Sequence, residues 1–208
     1  MKKFIGPLKE QYQGEDYKFL PFVDFDVLTD SIKQLLKSEN IDLIVMGTNG
    51  ATGAKEVLFG SNTLNVIRKI DCPVLAIPEG FTFKKLGSVL FTANSFKEIE
   101  HEGAAPLKDI MDVYHPQLHM LKIIERTEVF TDDCDLHSID LPKGIDYNTY
   151  ILRGIPIPIA VDTFIQLTNV DMHALFIERE TFLERFLFGT STAKISYGTR
   201  VPLLILHK

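Results

Sequence analysis

The chain matches itself. Shifted by 129 positions without a gap, Asn40-Ile41-Asp42 falls on Asn169-Val170-Asp171 and Leu58-Phe59-Gly60-Ser61 on Leu187-Phe188-Gly189-Thr190. In the same register Thr63 falls on Thr192, and Cys72-Pro73-Val74-Leu75 on Val201-Pro202-Leu203-Leu204. A single register held over so long a stretch means that one supersecondary unit is used twice. A length of 208 residues allows one large or two small units, with enough chain to bury a core.

The first copy reads as strand, loop, helix and strand. Ile41-Asp42-Leu43-Ile44-Val45 is a short apolar run of the kind that forms a buried parallel strand. It closes on Met46-Gly47-Thr48-Asn49-Gly50, and Phe59-Gly60-Ser61-Asn62-Thr63 then opens a helix running to Lys69. Val74 to Ile77 forms the next strand. Gly47 and Gly50, three apart, let the backbone turn sharply and approach a ligand closely. Gly60-Ser61 offers free N–H groups and a hydroxyl at a helix N-terminus, where an anion is favoured.

This loop lacks the Gly-x4-Gly-Lys-Ser/Thr of a Walker A motif and the Gly-x-Gly-x-x-Gly of a dinucleotide fold. Its own spacing, Gly-x2-Gly-x9-Gly-Ser, resembles the nucleotide loop of the universal stress protein family in its ATP-binding branch. The whole segment from Asn40-Ile41-Asp42 to Pro73-Val74-Leu75-Ala76-Ile77-Pro78 is similar to that family's C-terminal half. The resemblance implies an α/β fold: an open, mostly parallel sheet with helices on both faces, of the adenine nucleotide alpha hydrolase-like type, here in two related units. It also implies a site for ATP, or for AMP or ADP. Met46 and Gly47 would approach ribose and base, and Asn49 and Gly50 would bring the loop to the phosphates. Gly60, Ser61, Asn62 and Thr63 would receive phosphate through N–H groups and hydroxyls, with Mg²⁺ neutralising part of the charge. Family members often carry His where Asn49 stands.

The copies differ at this loop. The shift puts Gly47 on Phe176 and Gly50 on Arg179. Phe176 would fill the space that a ribose or phosphate needs, and Glu178 and Glu180 add repulsive charge beside an anion. Gly189-Thr190 reads as an ordinary helix start. The second copy is therefore expected not to bind.

The lead-in to each copy differs too. The second has Ser88 to Thr92 as a strand, Gly103 to Tyr114 as a helix and Gln117 to Glu125 as a strand. A polar stretch from Arg126 to Asp140 reads as loop or a poorly formed helix. Asp146 to Leu152, Met172 to Ile177 and Val201 to Leu206 read as strands, with helices at Pro158 to Leu167 and Thr190 to Tyr197. The first has only Tyr17 to Asp24 as a strand and Val27 to Ser38 as a helix, with Leu28, Ile32, Leu35 and Leu36 at helical spacing. Met1 to Pro7 is open between strand and helix.

The resemblance thus implies a truncated first unit at 1–80, a linker at 81–87 and a fuller second unit at 88–208. In the family's five-stranded sheet the first two strands lie between the third and fourth, so a unit without them exposes edges. Upstream sequence, another chain or a different packing would have to cover them. A homo-oligomer or an intrachain pseudo-dimer is expected, with the last strands Val74 to Ile77 and Val201 to Leu206 pairing.

Composition sets the outer limits. A net charge of −6 argues against a general nucleic-acid binder, and no apolar run reaches the roughly 20 residues of a membrane span. With no signal-peptide core, a cytoplasmic protein is expected. Two cysteines give no disulfide framework. Cys72, before Pro73, reads as buried, and Cys134 as a surface thiol. His137 near Asp133, Cys134 and Asp135 has spacing too loose for a metal site, and Asp24, Asp26, Glu56 and Asp71 read as solvated carboxylates. No residue is assigned a catalytic role and no Ser/His/Asp or Cys/His signature occurs, so the chain is not read as an enzyme beyond slow ATP hydrolysis. Two functions stay open: a nucleotide-binding stress-response or signalling module, and a structural or protein-interaction module whose glycine loop is a relic.

Overall fold

A computed structural model describes residues 2–11, 14, 17–48, 59–125, 141, 144–177, 186 and 200–208. The elements in chain order are α1 (Lys2–Gln11), α2 (Leu28–Ser38), β1 (Ile44–Gly47), α3 (Ser61–Lys69), β2 (Val74–Ile77) and β3 (Ser88–Thr92). They continue as α4 (Ala105–Tyr114), β4 (Gln117–Ile124), β5 (Tyr147–Arg153), α5 (Ile157–Thr168), β6 (Met172–Ile177) and β7 (Leu203–His207). All seven strands join one sheet in the order β1-β2-β7-β6-β3-β4-β5. Every neighbouring pair is parallel except β2 with β7.

The architecture is α/β with a mostly parallel sheet and a core on each face, because alternate strand residues point to opposite sides. On one face Val66 and Ile67 of α3 and Val161, Phe164 and Ile165 of α5 pack on Val74, Ala76, Leu90, Leu175 and Ile205, with Ile32 and Leu36 of α2 at the margin. On the other, Leu107 and Met111 of α4 pack on Val89, Phe91, Met120, Ala174 and Leu204.

The sequence repeat has a geometric counterpart. β1 and β2 pair Ile44 with Val74 and Met46 with Ala76; β6 and β7 pair His173 with Leu203 and Leu175 with Ile205. The 129-position shift carries the first set onto the second. It also carries the Ile44 N–H to Pro73 carbonyl bond onto the His173 N–H to Pro202 carbonyl bond, both 2.9 Å. The antiparallel junction obeys the same relation: Leu75 lies opposite Leu204, its own repeat mate, with Val74 on Ile205 and Ala76 on Leu203. The expected pairing of these last strands is met.

Three expectations need correction. Tyr17 to Asp24 forms no strand. Most of its apolar side chains are exposed (Phe22 54%, Val23 71%), and no strand among the described residues offers it a ladder to join. The strand expected at Ile41 to Val45 spans Ile44–Gly47 and is parallel, but it is not buried. It is the terminal strand of the sheet, alternating half-buried and exposed, with Val45 61% exposed. The helix expected from Gly103 begins at Ala105, after two 3-10 turns, Phe96–Glu100 and Glu102–Ala104. Of the stretch Met1 to Pro7, Lys2 to Pro7 lies in α1, and Met1 is outside the described residues. The expectations for 126–140 and for the helix at Thr190 to Tyr197 lie outside the described residues.

Candidate functional site

The candidate site is built where β1 ends and α3 begins. Thr48 continues β1 by one residue: its N–H donates to the Ile77 carbonyl at 2.9 Å, and its own carbonyl accepts from the Gly60 N–H. The Thr63 hydroxyl donates to the Gly47 carbonyl at 2.8 Å. These two bonds, one on each side of the loop, fix the first turn of α3 beside the last residues of β1. Thr48 and Thr63 are buried at 0% and 2% exposure, so their bonds are shielded from water.

Gly60 is the N-cap of α3 and offers no side-chain cap. The first turn of a helix leaves its N–H groups without intrahelical partners. Those of Ser61, Asn62 and Thr63 make no bond to a described residue outside the helix, and the Ser61 and Asn62 side chains are exposed. That turn holds no acidic residue to offset the positive end of the helix dipole. A side chain added at Gly47 would meet nothing within 4 Å among the described residues.

Of the eight expected site residues, the structure brings Gly47, Gly60, Ser61 and Asn62 to one place with Met46 half-buried alongside. Thr63 is there as well, its hydroxyl donating to the Gly47 carbonyl. Asn49 and Gly50 lie outside the described residues, as do Arg179, Glu178, Glu180, Gly189 and Thr190.

The equivalent place in the second copy is filled. Phe176 is buried at 1% and its ring meets that of His101 edge-on, with centroids 5.5 Å apart. The His101 Nδ1 accepts from the Gly103 N–H at 3.0 Å, and Gly103 itself packs against the carbonyl of His207 at the end of β7. Phe96 and Ile99 of the 3-10 turn complete an apolar plug over the ends of β3 and β6. Asn94 is exposed and its N–H donates to the Glu98 carboxylate at 3.2 Å.

Two features escaped the reading of the sequence. Asp171 accepts from the N–H groups of Gly87 and Ser88, at 2.8 and 3.0 Å, and so clamps the start of β3. The duplicated Asn-x-Asp (40–42 and 169–171) was its sequence signal. His173 is fully buried beside Thr92 Oγ1 at 3.0 Å and the Phe186 ring at 5.5 Å; desolvation pushes its pKa down to about 3. Desolvation also lowers the pKa of His119, and of His207 against an opposing pull from Asp71. Cys72 is buried as expected, and burial, with Asp42 and Asp71 nearby, raises its thiol pKa. Asp24 and Asp26 are exposed; the Asp24 carboxylate is held down by Ser31 and by the N–H groups of Phe25 and Asp26.

A cavity of about 850 Å³ lies elsewhere, beneath the strap from Pro78 to Leu86, walled by Leu75, Ile77, Phe83, Ile110 and Tyr114. None of the expected site residues lines it. Among the described residues no three His, Cys, Asp or Glu side chains cluster as metal ligands, and no helix is long and apolar enough to cross a membrane.

Residues 23–78 match the sequence model of the Universal stress protein family. The chain is 33% identical over 76 residues to universal stress protein MJ0577 of Methanocaldococcus jannaschii, covering 36% of this chain and 47% of that protein. It is 41% identical over 51 residues to MJ0531 of the same organism, covering 24% and 30%. The chain therefore spans less than half the length of either curated relative. Its fold is similar to that of a universal stress protein from Archaeoglobus fulgidus DSM 4304, with a TM-score of 0.64 at 19% identity over 100% of this chain and 76% of that one. It is similar also to a candidate universal stress protein from Pseudomonas aeruginosa UCBPP-PA14, with a TM-score of 0.69 at 15% identity over 99% and 78%. The chain is thus a universal stress protein-like α/β module, its family match carried by residues 23–78 and its likeness beyond them one of fold.

Proposed function

We propose that this module binds an adenine nucleotide, ATP or else AMP or ADP, at the β1–α3 junction and serves as a stress-response or signalling protein of the cytoplasm. The observation that carries the reading is the exposed, uncapped N-terminus of α3 set beside the open end of β1. N–H groups with no partner outside the helix among the described residues, a helix dipole and the Ser61 hydroxyl suit a phosphate chain. Gly47 leaves room for a ribose to approach the backbone, as Asn49 and Gly50 would leave room for the phosphates. Mg²⁺ would arrive on the triphosphate, whose own oxygens supply most of its ligands.

On this reading the chain has two related units, an incomplete one at 1–80 and a fuller one at 88–208, joined by the linker 81–87 and paired as an intrachain pseudo-dimer through β2 and β7. Only the first binds; the plug of Phe96, His101 and Phe176 occupies the second. No residue is assigned to catalysis, and turnover is at most slow ATP hydrolysis. Calorimetric titration with ATP and AMP, with and without Mg²⁺, tests the reading. Gly50→Val should abolish binding and Arg179→Gly should leave it unchanged; unchanged affinity in Gly50→Val would refute the loop assignment. The second reading, an interaction module with a relic loop, draws support from the exposed Phe22, Val23, Phe25 and Val27 and from the open edge of β1.

A further inference from the structure

We propose that the open edge of β1 is a docking site for a strand–helix segment of another polypeptide, which adds to the sheet as a parallel strand and is clamped at its start by Asp42. The internal repeat identifies the occupant. β1 is the repeat mate of β6, and the edge of β6 that corresponds to the open edge of β1 carries β3, in parallel, with Leu90 opposite His173 and Phe91 opposite Ala174. Moved back by 129 positions, this register puts an incoming strand against Leu43, Ile44, Val45 and Met46.

Burial registers the difference. All six residues of β6 are buried, Ala174 at 0%, whereas β1 alternates half-buried and exposed, and Val45, the mate of Ala174, is 61% exposed. The hydrogen-bonding groups are directed to suit. Ile44 and Thr48 donate to β2, so the alternation of a parallel ladder turns the N–H groups of Val45 and Gly47 outward. The Gly47 carbonyl on that side is already held by the Thr63 hydroxyl, so the ladder for an added strand runs through the Val45 N–H and C=O and the Gly47 N–H.

Asp42 is a separate observation pointing to the same ligand. It is the repeat mate of Asp171, whose carboxylate holds the two leading N–H groups of β3. Asp42 is exposed and has no hydrogen-bond partner among the described residues. The occupant therefore has stated chemistry: two free N–H groups at its start, as in Gly87-Ser88, then an apolar strand like Val89-Leu90-Phe91, then an amphipathic helix like α4. The site is independent of whether nucleotide binds.

The test uses the whole chain and a synthetic peptide spanning Leu86 to His115, with a scrambled peptide as control. Amide hydrogen exchange is followed residue by residue at low micromolar protein. The peptide should protect the Val45 and Gly47 amides saturably, by at least tenfold, while the scrambled peptide does nothing. Val45→Pro should reduce peptide affinity at least tenfold. Proline at this position removes only an outward N–H and is tolerated on an edge strand. Asp42→Ala, at an exposed position, should reduce affinity at least threefold and guards against a folding defect in the proline variant. No saturable protection at Val45 and Gly47, or unchanged affinity in both variants, overturns the proposal. So does protection that rises with protein concentration in the absence of peptide, which would make a second copy the occupant.

Discussion

Protonation of His173 should cost the fold its stability from pH 6.5 downward. The ring is completely buried between β3 and β7, facing Thr92, with the Phe186 ring against it. Its pKa falls from 6.5 to about 3 because the charged form loses its hydration. The folded pKa lies below the unfolded one, so the unfolded chain binds the extra proton throughout the interval between them. Stability is then complete above pH 6.5 and declines as pH falls, at up to about 1.4 kcal/mol per pH unit. The ceiling over the whole interval is about 5 kcal/mol, and between pH 7 and 5 the expected share is about 2 kcal/mol. His119 and His207 shift in the same direction and add to the slope. Urea unfolding at pH 7, 6 and 5, above the range in which ordinary carboxylates titrate, measures it. His173→Leu should remove about one proton's worth of slope; the lost Thr92 contact costs about 1 kcal/mol at pH 7 and above, and the deficit shrinks as pH falls. An identical slope in wild type and His173→Leu would show that the buried imidazole does not titrate in this way.

Other consequences follow from single contacts. Asp171→Ala should destabilise by about 1–3 kcal/mol in urea unfolding and speed amide exchange at Gly87 and Ser88, because two charge-assisted bonds are lost; exchange at wild-type rates there would contradict the clamp. Gly103→Ala should cost about 1–3 kcal/mol in thermal unfolding, since its methyl group would collide with the His207 carbonyl. Leu204→Lys places an ammonium in the fully buried centre of the β2–β7 junction, so trypsin cleavage at Lys84 and Lys85 in the strap from Pro78 to Leu86 should accelerate at least tenfold; cleavage at the wild-type rate would count against a structural role for the junction.

The sequence makes some of this legible for plain physical reasons. Val74–Ile77 and Met172–Ile177 are short apolar runs bounded by Pro, Asp and Asn, and both are strands at those bounds. Gly60 opening a helix is written in its lack of a side chain and in the residues after it. Tyr17 to Asp24 misleads because its aromatic content mimics a strand, whereas a strand exists only where a neighbour supplies bonds. The burial of β1 misleads for the same reason: an apolar run does not reveal that it ends a sheet. The late start of α4 follows from the His101 ring, which ties down Gly103 before the helix can begin. The tether that Thr63 makes was hidden because nothing in the sequence says which carbonyl a hydroxyl near a helix start will reach; the 2.8 Å bond to Gly47 depends on the fold. His173 looked like any other histidine; its burial depends on β3 and β7, strands remote in sequence.

The central claim is that nucleotide binds at the β1–α3 junction and not at the plugged second copy. Backbone amide NMR of the whole chain, titrated with ATP and Mg²⁺, tests it most directly. Saturable shifts are expected at Met46, Gly47, Ser61, Asn62 and Thr63, lost in Gly47→Val, a substitution for which the described residues leave space. Saturable shifts centred on Thr92, Phe96, His101 and Phe176, with Ser61 to Thr63 unmoved, would contradict it.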